Sequence, residues 1–200
     1  HQSPAVQSAS RKSPRLALAG SRINPDYLKA FIKDPHRVKP GTLMPDLLFN
    51  LAPDQKEEVA DAITHYLVSL NKGEDFALRA PDGVAAEFGE KIFHSVGCVA
   101  CHAPRDPGGK ELLSDSSVPL GALEKKYSFK SLSEFLRRPH SVRPSGRMPD
   151  LRLQGQDIDR ITHYLLRDTR VAGNLSYTTW RGKVWEGLEG DVQKEKGGHV

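Results

Sequence analysis

The reactive side chains of this 200-residue chain are concentrated in five consecutive residues, Cys98, Val99, Ala100, Cys101 and His102, which include both of its cysteines. Two thiols at this spacing, followed at once by an imidazole, suit three kinds of chemistry. They can add across the two vinyl groups of one haem while the imidazole is placed beneath the iron. They can bind zinc, which needs more cysteine or histidine nearby, or form a redox disulfide, which needs a βαβ setting. The haem option requires a second axial ligand, and Met148 meets it. Met148 lies 46 residues after His102, bracketed by Gly146 and Pro149, which hold a flexible thioether in a defined place. A thioether is a soft ligand that favours ferrous iron, so His/Met ligation implies a relatively high reduction potential. With both axial positions filled there is no open position for oxygen or substrate, which leaves outer-sphere electron transfer without turnover.

The elements that must position these residues belong to an internal repeat. Phe31-Ile32-Lys33-Asp34-Pro35-His36 is answered 104 residues later by Phe135-Leu136-Arg137-Arg138-Pro139-His140. At the same offset, Lys39, Pro40 and Met44-Pro45-Asp46-Leu47 face Arg143, Pro144 and Met148-Pro149-Asp150-Leu151. Ile63-Thr64-His65-Tyr66-Leu67 then recurs unchanged as Ile161-Thr162-His163-Tyr164-Leu165. Each copy reads as helix, Met-bearing loop, helix. Asn24 is a good N-cap with Pro25 behind it, and Leu28, Phe31 and Ile32 form a stripe that Pro35 stops. In the second copy that helix is expected to start near Ser131 and to end before Pro139. The closing helices carry Val59, Ile63, Tyr66, Leu67 and Leu70, and Ile158, Ile161, Tyr164 and Leu165, at helical spacing, and both faces are expected in the core. Only the second copy has a preceding helix, opened by Asp82 or Gly83 and running through Ala85, Phe88, Gly89, Ile92 and Phe93 into Cys98. The expected organisation is a partial repeat at 1–70, a linker at 71–82, a complete domain at 83–169, and a β-rich fragment at 172–200. The fold class is mainly α.

Over residues 83–169 the pattern resembles the class I cytochrome c family, with Gly89 and Phe93 on the first helix and Tyr164 on the last, where that family crosses its terminal helices. The resemblance implies a cytochrome c-like helical domain around a covalent haem c. It implies thioether links at Cys98 and Cys101, axial iron ligands at His102 and Met148, and transport of single electrons by a carrier rather than an enzyme. It also implies placement in the bacterial periplasm or at the cell surface, since the family is matured outside the cytoplasm. The competing reading is a haem enzyme subunit, a peroxidase or the electron-relay domain of a dehydrogenase, in which Met148 is displaced or a neighbouring domain binds substrate.

The first copy has Met44 in the context of Met148 but no cysteine ahead of it. His1 lies 43 residues before Met44, close to the spacing in the second copy. One reading is a chain that begins just after a lost CxxC, with His1 and Met44 the ligands of a truncated first haem site in a tandem, dihaem protein. The other is a degenerate, haemless copy. The absence of an initiator methionine reads as a fragment of something longer.

Between Lys125 and Arg147 seven basic residues stand against the single acid Glu134. This excess is either a solvated surface or a docking patch for an acidic redox partner, centred on Arg143 and Arg147. The overall charge of +4 and pI near 9.1 come with 25 acidic residues and no nucleic-acid-binding motif, so nucleic acid is not an expected partner. No apolar stretch is long enough for a membrane span, and no secretory signal is visible. Two cysteines three apart exclude a disulfide-stapled scaffold. His94 reads as a surface or packing residue and His65 and His163 as helix-packing or capping residues, while the recurrence of His36 as His140 is compatible with a fold role or a ligand role. After residue 172, Leu175, Tyr177, Trp180, Val184, Trp185 and Leu188 alternate with turn-forming glycines. This segment resembles the opening of a protective-antigen-type β-sandwich, which implies carbohydrate binding.

Overall fold

The computed structural model describes residues 16–71, 76–106, 108–144 and 146–171, and the strands Ser176–Arg181 and Gln193–His199. The chain divides into two units, His1–Thr169 and Arg170–Val200. The first is mainly helical: α1 (Ala19–Arg22), α2 (Pro25–Lys33), α3 (Pro35–Val38), α4 (Pro53–Ser69), α5 (Gly83–Ser95), α6 (Phe129–Arg137), α7 (Pro139–Val142) and α8 (Gly155–Leu165). Among the described residues no helix is long and apolar enough to cross a membrane. In the second unit β1 (Ser176–Arg181) and β2 (Gln193–His199) pair antiparallel, Thr179 opposite Glu195, with an irregularity between Ser176 and Thr178. Leu175, Val184, Trp185 and Leu188 lie outside the described residues.

Local chemistry sets the helix ends. Asn24 Oδ1 accepts from Asp26 N–H at 2.9 Å and Pro25 opens α2. Pro35 stops α2 and starts α3, with Asp34 as the cap between them, and Pro139 repeats the corner between α6 and α7. The start of α6 falls earlier than the sequence predicts. Ser128, not a residue near Ser131, is the N-cap: its Oγ accepts from Ser131 N–H at 3.1 Å, and Ser131 Oγ accepts from Ser128 N–H at 3.0 Å. Two serines three apart form this reciprocal cap although neither is Glu or Gln.

Around the second copy the core gathers Phe93, Leu132, Leu136, Ile158, Ile161, Tyr164 and Leu165. Its centre is the crossing of α5 and α8. A Cβ built on Gly89 would stand 2.0 Å from the Arg160 carbonyl oxygen and 2.9 Å from Tyr164 Cβ, so only glycine permits this approach. Phe93 and Tyr164 pack one turn away with ring centroids 5.4 Å apart.

The first copy keeps α2 on α4 around Leu28, Ile32, Ala60 and Leu67, reinforced by Lys29, which reaches Glu57 at 2.8 Å and Asp61 at 2.7 Å. Here one expectation fails. Ile63 is 37% exposed and Tyr66 52%, whereas their counterparts Ile161 and Tyr164 are at 0% and 1%. The cause is the partner: α5 covers α8, and among the described residues no such helix covers the same face of α4. His65 diverges from His163 likewise. His163 is buried, packs at a tilt against the Phe129 ring with centroids 4.5 Å apart, and through Nδ1 accepts from the Asp82 N–H at the start of α5. His65 is exposed, 3.4 Å from Asp61, and neither packs nor caps.

Candidate functional site

The chain reaches the Cys98–His102 motif through a sharp turn. Gly97, just past the end of α5, has φ 99°, a left-handed conformation costly for any residue with a Cβ. The motif is then one tight turn: Cys98–Ala100 form a 3₁₀ helix, and Cys98 O accepts from His102 N–H at 2.9 Å. Cys101 closes this turn as its C-cap, its N–H donating to Cys98 O at 3.2 Å, so the two cysteines lie at either end of one turn. Cys98 is half-buried, Cys101 is exposed, and both are free.

His102 is held by the main chain. Its Nδ1 lies 2.9 Å from Val118 O. A carbonyl only accepts, so Nδ1 carries the proton and Nε2 keeps its lone pair for a metal. Val118 is itself clamped, its N–H donating to Cys101 O at 2.8 Å. Glu111 pins the following residues, its carboxylate accepting from Leu120 N–H at 2.7 Å and Gly121 N–H at 3.2 Å. Arg105 closes the same loop by an antiparallel backbone β-bridge with Glu111 and by a side-chain bond from Nη2 to Gly121 O at 3.5 Å. Sequence reasoning passed over Val118, Glu111 and Arg105. Val118 contributes a carbonyl, which no side-chain pattern reveals, and Glu111 and Arg105 act through folded contacts without a local motif.

Met148 is half-buried and packs, with Cys98, Val99, Leu120 and Leu153, against the core around Phe93 and Ile158. The axial-ligand candidate and the first thiol thus both pack against the one buried core cluster of the second copy. Asp150 Oδ1 accepts from Arg152 N–H at 2.9 Å, which fixes the chain after Met148 and holds Arg152 at φ 52°. The first copy repeats the device, Asp46 Oδ1 accepting from Leu48 N–H at 3.0 Å beyond half-buried Met44. His1 lies outside the described residues.

Burial pushes the Cys98 thiol up from its usual range, the reverse of the thiolate-stabilising setting of a redox CxxC. Among the described residues no three His, Cys, Asp or Glu side chains gather as metal ligands. A haem asks less of the protein, two axial ligands and two thiols. These residues fit it: thiols on one turn, an imidazole with a free Nε2, and a thioether in an apolar setting. Val96, Leu112, Leu113 and Val118 around the motif are exposed, an apolar surface that a flat macrocycle can cover. His94 is exposed, its Nδ1 2.8 Å from Glu90 O and its ring 5.5 Å from that of Phe93. Arg143 and Arg147 are exposed.

Compared with known proteins, the chain matches no family model and no curated protein.

Proposed function

We propose that this chain is an electron-transfer protein of the c-type cytochrome kind, holding one covalent haem c through Cys98 and Cys101, with His102 and Met148 as axial ligands. The observation that carries it is His102: Nδ1 is committed to the Val118 carbonyl, so Nε2 is oriented and free. When bound, the haem supplies reversible one-electron chemistry at iron. Cys98 and Cys101 provide the thioether anchors. The loop tied by Glu111 keeps the imidazole in one tautomer, the apolar contacts of Met148 exclude water, and the Asp150 turn fixes its backbone.

Attachment needs reduced thiols and, in the family resembled, occurs outside the bacterial cytoplasm, so we assign the protein to the periplasm or cell surface. Exposed Arg143 and Arg147 supply positive charge for an acidic redox partner. The β-rich unit would add carbohydrate binding in the intact protein.

We extend the proposal to the first repeat, with Met44 a ligand of a second haem whose histidine is His1 and whose cysteines lie upstream of it. In its support, Leu43, Leu47 and Phe49 around Met44 are 91%, 78% and 67% exposed, and among the described residues no helix covers Ile63 and Tyr66 as α5 covers their counterparts. A degenerate copy is the other outcome: expressing a chain extended upstream gives two haems per polypeptide or one.

The test of the main site is production with haem-maturation machinery followed by denaturation. The expected product retains one haem per chain on a denaturing gel and by mass, and the Cys98→Ala, Cys101→Ala double variant retains none. Haem released on denaturation overturns the proposal. Retained haem whose iron binds small ligands in place of Met148 moves the peroxidase or dehydrogenase-relay reading ahead.

A further inference from the structure

The two repeats meet about an approximate local two-fold axis. Ile23 and Tyr127, equivalent positions at the 104-residue offset, form an antiparallel bridge, and Asn24 N–H donates to Lys126 O at 2.9 Å. An antiparallel bridge between equivalent residues requires such an axis at that point. Two further equivalent pairs flank it, Arg22 with Lys126 and Lys39 with Arg143.

Each pair reaches across to the other repeat. Arg22 Nη1 donates to Val142 O at 3.5 Å, beside Arg143. Lys126 Nζ sits between two aromatic rings, 5.3 Å from the centroid of Tyr27 and 4.8 Å from that of Tyr127. Arg22 and Lys39 each lie within electrostatic reach of Arg143, Lys126 within reach of Arg22, Lys39 and Arg143, and among the described residues none of the four forms an ion pair. Arg22 Nε is buried with no hydrogen-bond partner. The nearby acid is Glu134, which acts on Arg22. Burial together with Arg143 and Arg22 pushes Lys126 down to about 8, and burial together with Lys126 and Arg143 pushes Lys39 down. A solvated basic surface lets its charges spread apart, whereas here Arg22, Lys39 and Lys126 are each partly withdrawn from water beside exposed Arg143, an arrangement that a counter-charge relieves.

We propose that Arg22, Lys39, Lys126 and Arg143 form an oxyanion-binding site on the axis between the repeats, taking a ligand with two negative charges. The guanidinium forks and ammonium groups supply charge-assisted donors. Two sources offer this chemistry, free inorganic phosphate and the paired carboxylates of a haem. The phosphate arm is independent of the haem proposal, and only the carboxylate arm rests on it.

The experiment titrates inorganic phosphate into the haem-free chain with its cysteines reduced, and into the haem-loaded chain, at constant ionic strength with chloride as balance, by calorimetry and by Tm. Saturable binding of one phosphate per chain is expected in the haem-free protein. The Lys126→Gln, Arg143→Gln double variant is expected to lose on the order of tenfold or more in affinity, two charge-assisted bonds being removed. Its phosphate-free Tm is expected to be unchanged or higher, because mutual repulsion falls, which separates ligand loss from misfolding. Lys125→Gln, on an exposed neighbour, is expected to bind as the parent does. Binding to the haem-free chain alone assigns haem carboxylates as the natural occupant, and binding to both forms assigns a free anion. A phosphate response no larger than that to chloride, or one that survives in the double variant, overturns the site.

Discussion

Replacing Gly89 by alanine sets two effects of opposite sign against each other. In an exposed helix interior the change stabilises by about 1 kcal/mol, because alanine has the higher helix propensity. At position 89 the new methyl meets the Arg160 carbonyl oxygen at 2.0 Å and Tyr164 Cβ at 2.9 Å. Carbon and a carbonyl oxygen come to rest at about 3.3 Å, so α5 and α8 must separate by roughly 1.3 Å where they cross. Helix backbone cannot yield as a side-chain tip does, and the movement loosens Phe93 and Tyr164, which are 2% and 1% exposed. Overpacking of this kind costs about 1–3 kcal/mol, and the partial loss of aromatic packing adds to it. The net expectation for Gly89→Ala is a loss of about 2 kcal/mol after the propensity gain, a fall in Tm on the order of 5 °C. Circular dichroism at 222 nm during heating measures it. Gly83→Ala is the control, since a Cβ at Gly83, the first residue of α5, meets nothing within 4 Å, and its Tm is expected to hold or rise. A Gly89→Ala Tm equal to or above the parent would refute the close crossing.

Two further outcomes follow from the contacts around the site. Burial and the neighbouring Arg79 hold His163 below its ordinary range, and its neutral Nδ1 accepts from Asp82 N–H. A histidine with a depressed folded-state pKa contributes stability that is present above about 6.5, its unfolded value, and is lost as pH falls through the folded value. Between pH 7.5 and 5.5 the parent is therefore expected to lose more Tm than His163→Gln, and parallel curves would contradict the assignment. Glu111→Ala removes the acceptor of two backbone N–H groups and is expected to cost about 2 kcal/mol, with faster tryptic cleavage after Lys110. An unchanged cleavage rate would show that Glu111 does not hold the loop.

Much of this architecture was readable from local pattern. The caps at Asn24 and Asp82, the proline corners at Pro35 and Pro139, and the helical stripes rest on residues within a few positions of one another, where helix geometry alone decides. Gly89, Phe93 and Tyr164 were also legible, as one small and two aromatic residues on helices expected to meet. Periodicity failed at Ile63 and Tyr66: it shows that a helix has an apolar face, not that a partner is present to bury it. The identical pentapeptides around His65 and His163 make the same point, since the same histidine is an exposed neighbour of Asp61 in one setting and a buried acceptor in the other. The Cys98–His102 motif could be read, but not the clamp that orients His102, because it is a carbonyl 16 residues away held by a carboxylate. The basic run from Lys125 to Arg147 reads as one surface in sequence. In the fold, Lys126 and Arg143 come within electrostatic reach of Arg22 and Lys39 of the other repeat, a grouping visible only once the repeat-equivalent positions are brought together.

The most direct test of the central claim is the optical spectrum, oxidised and reduced, of the chain produced with haem-maturation machinery, alongside Met148→Ala. Covalent haem with His102 and Met148 as ligands predicts a weak ferric band toward the red that reports methionine sulfur, present in the parent and absent from Met148→Ala. Covalent haem without that band in the parent, or a band that survives in Met148→Ala, would contradict the assignment.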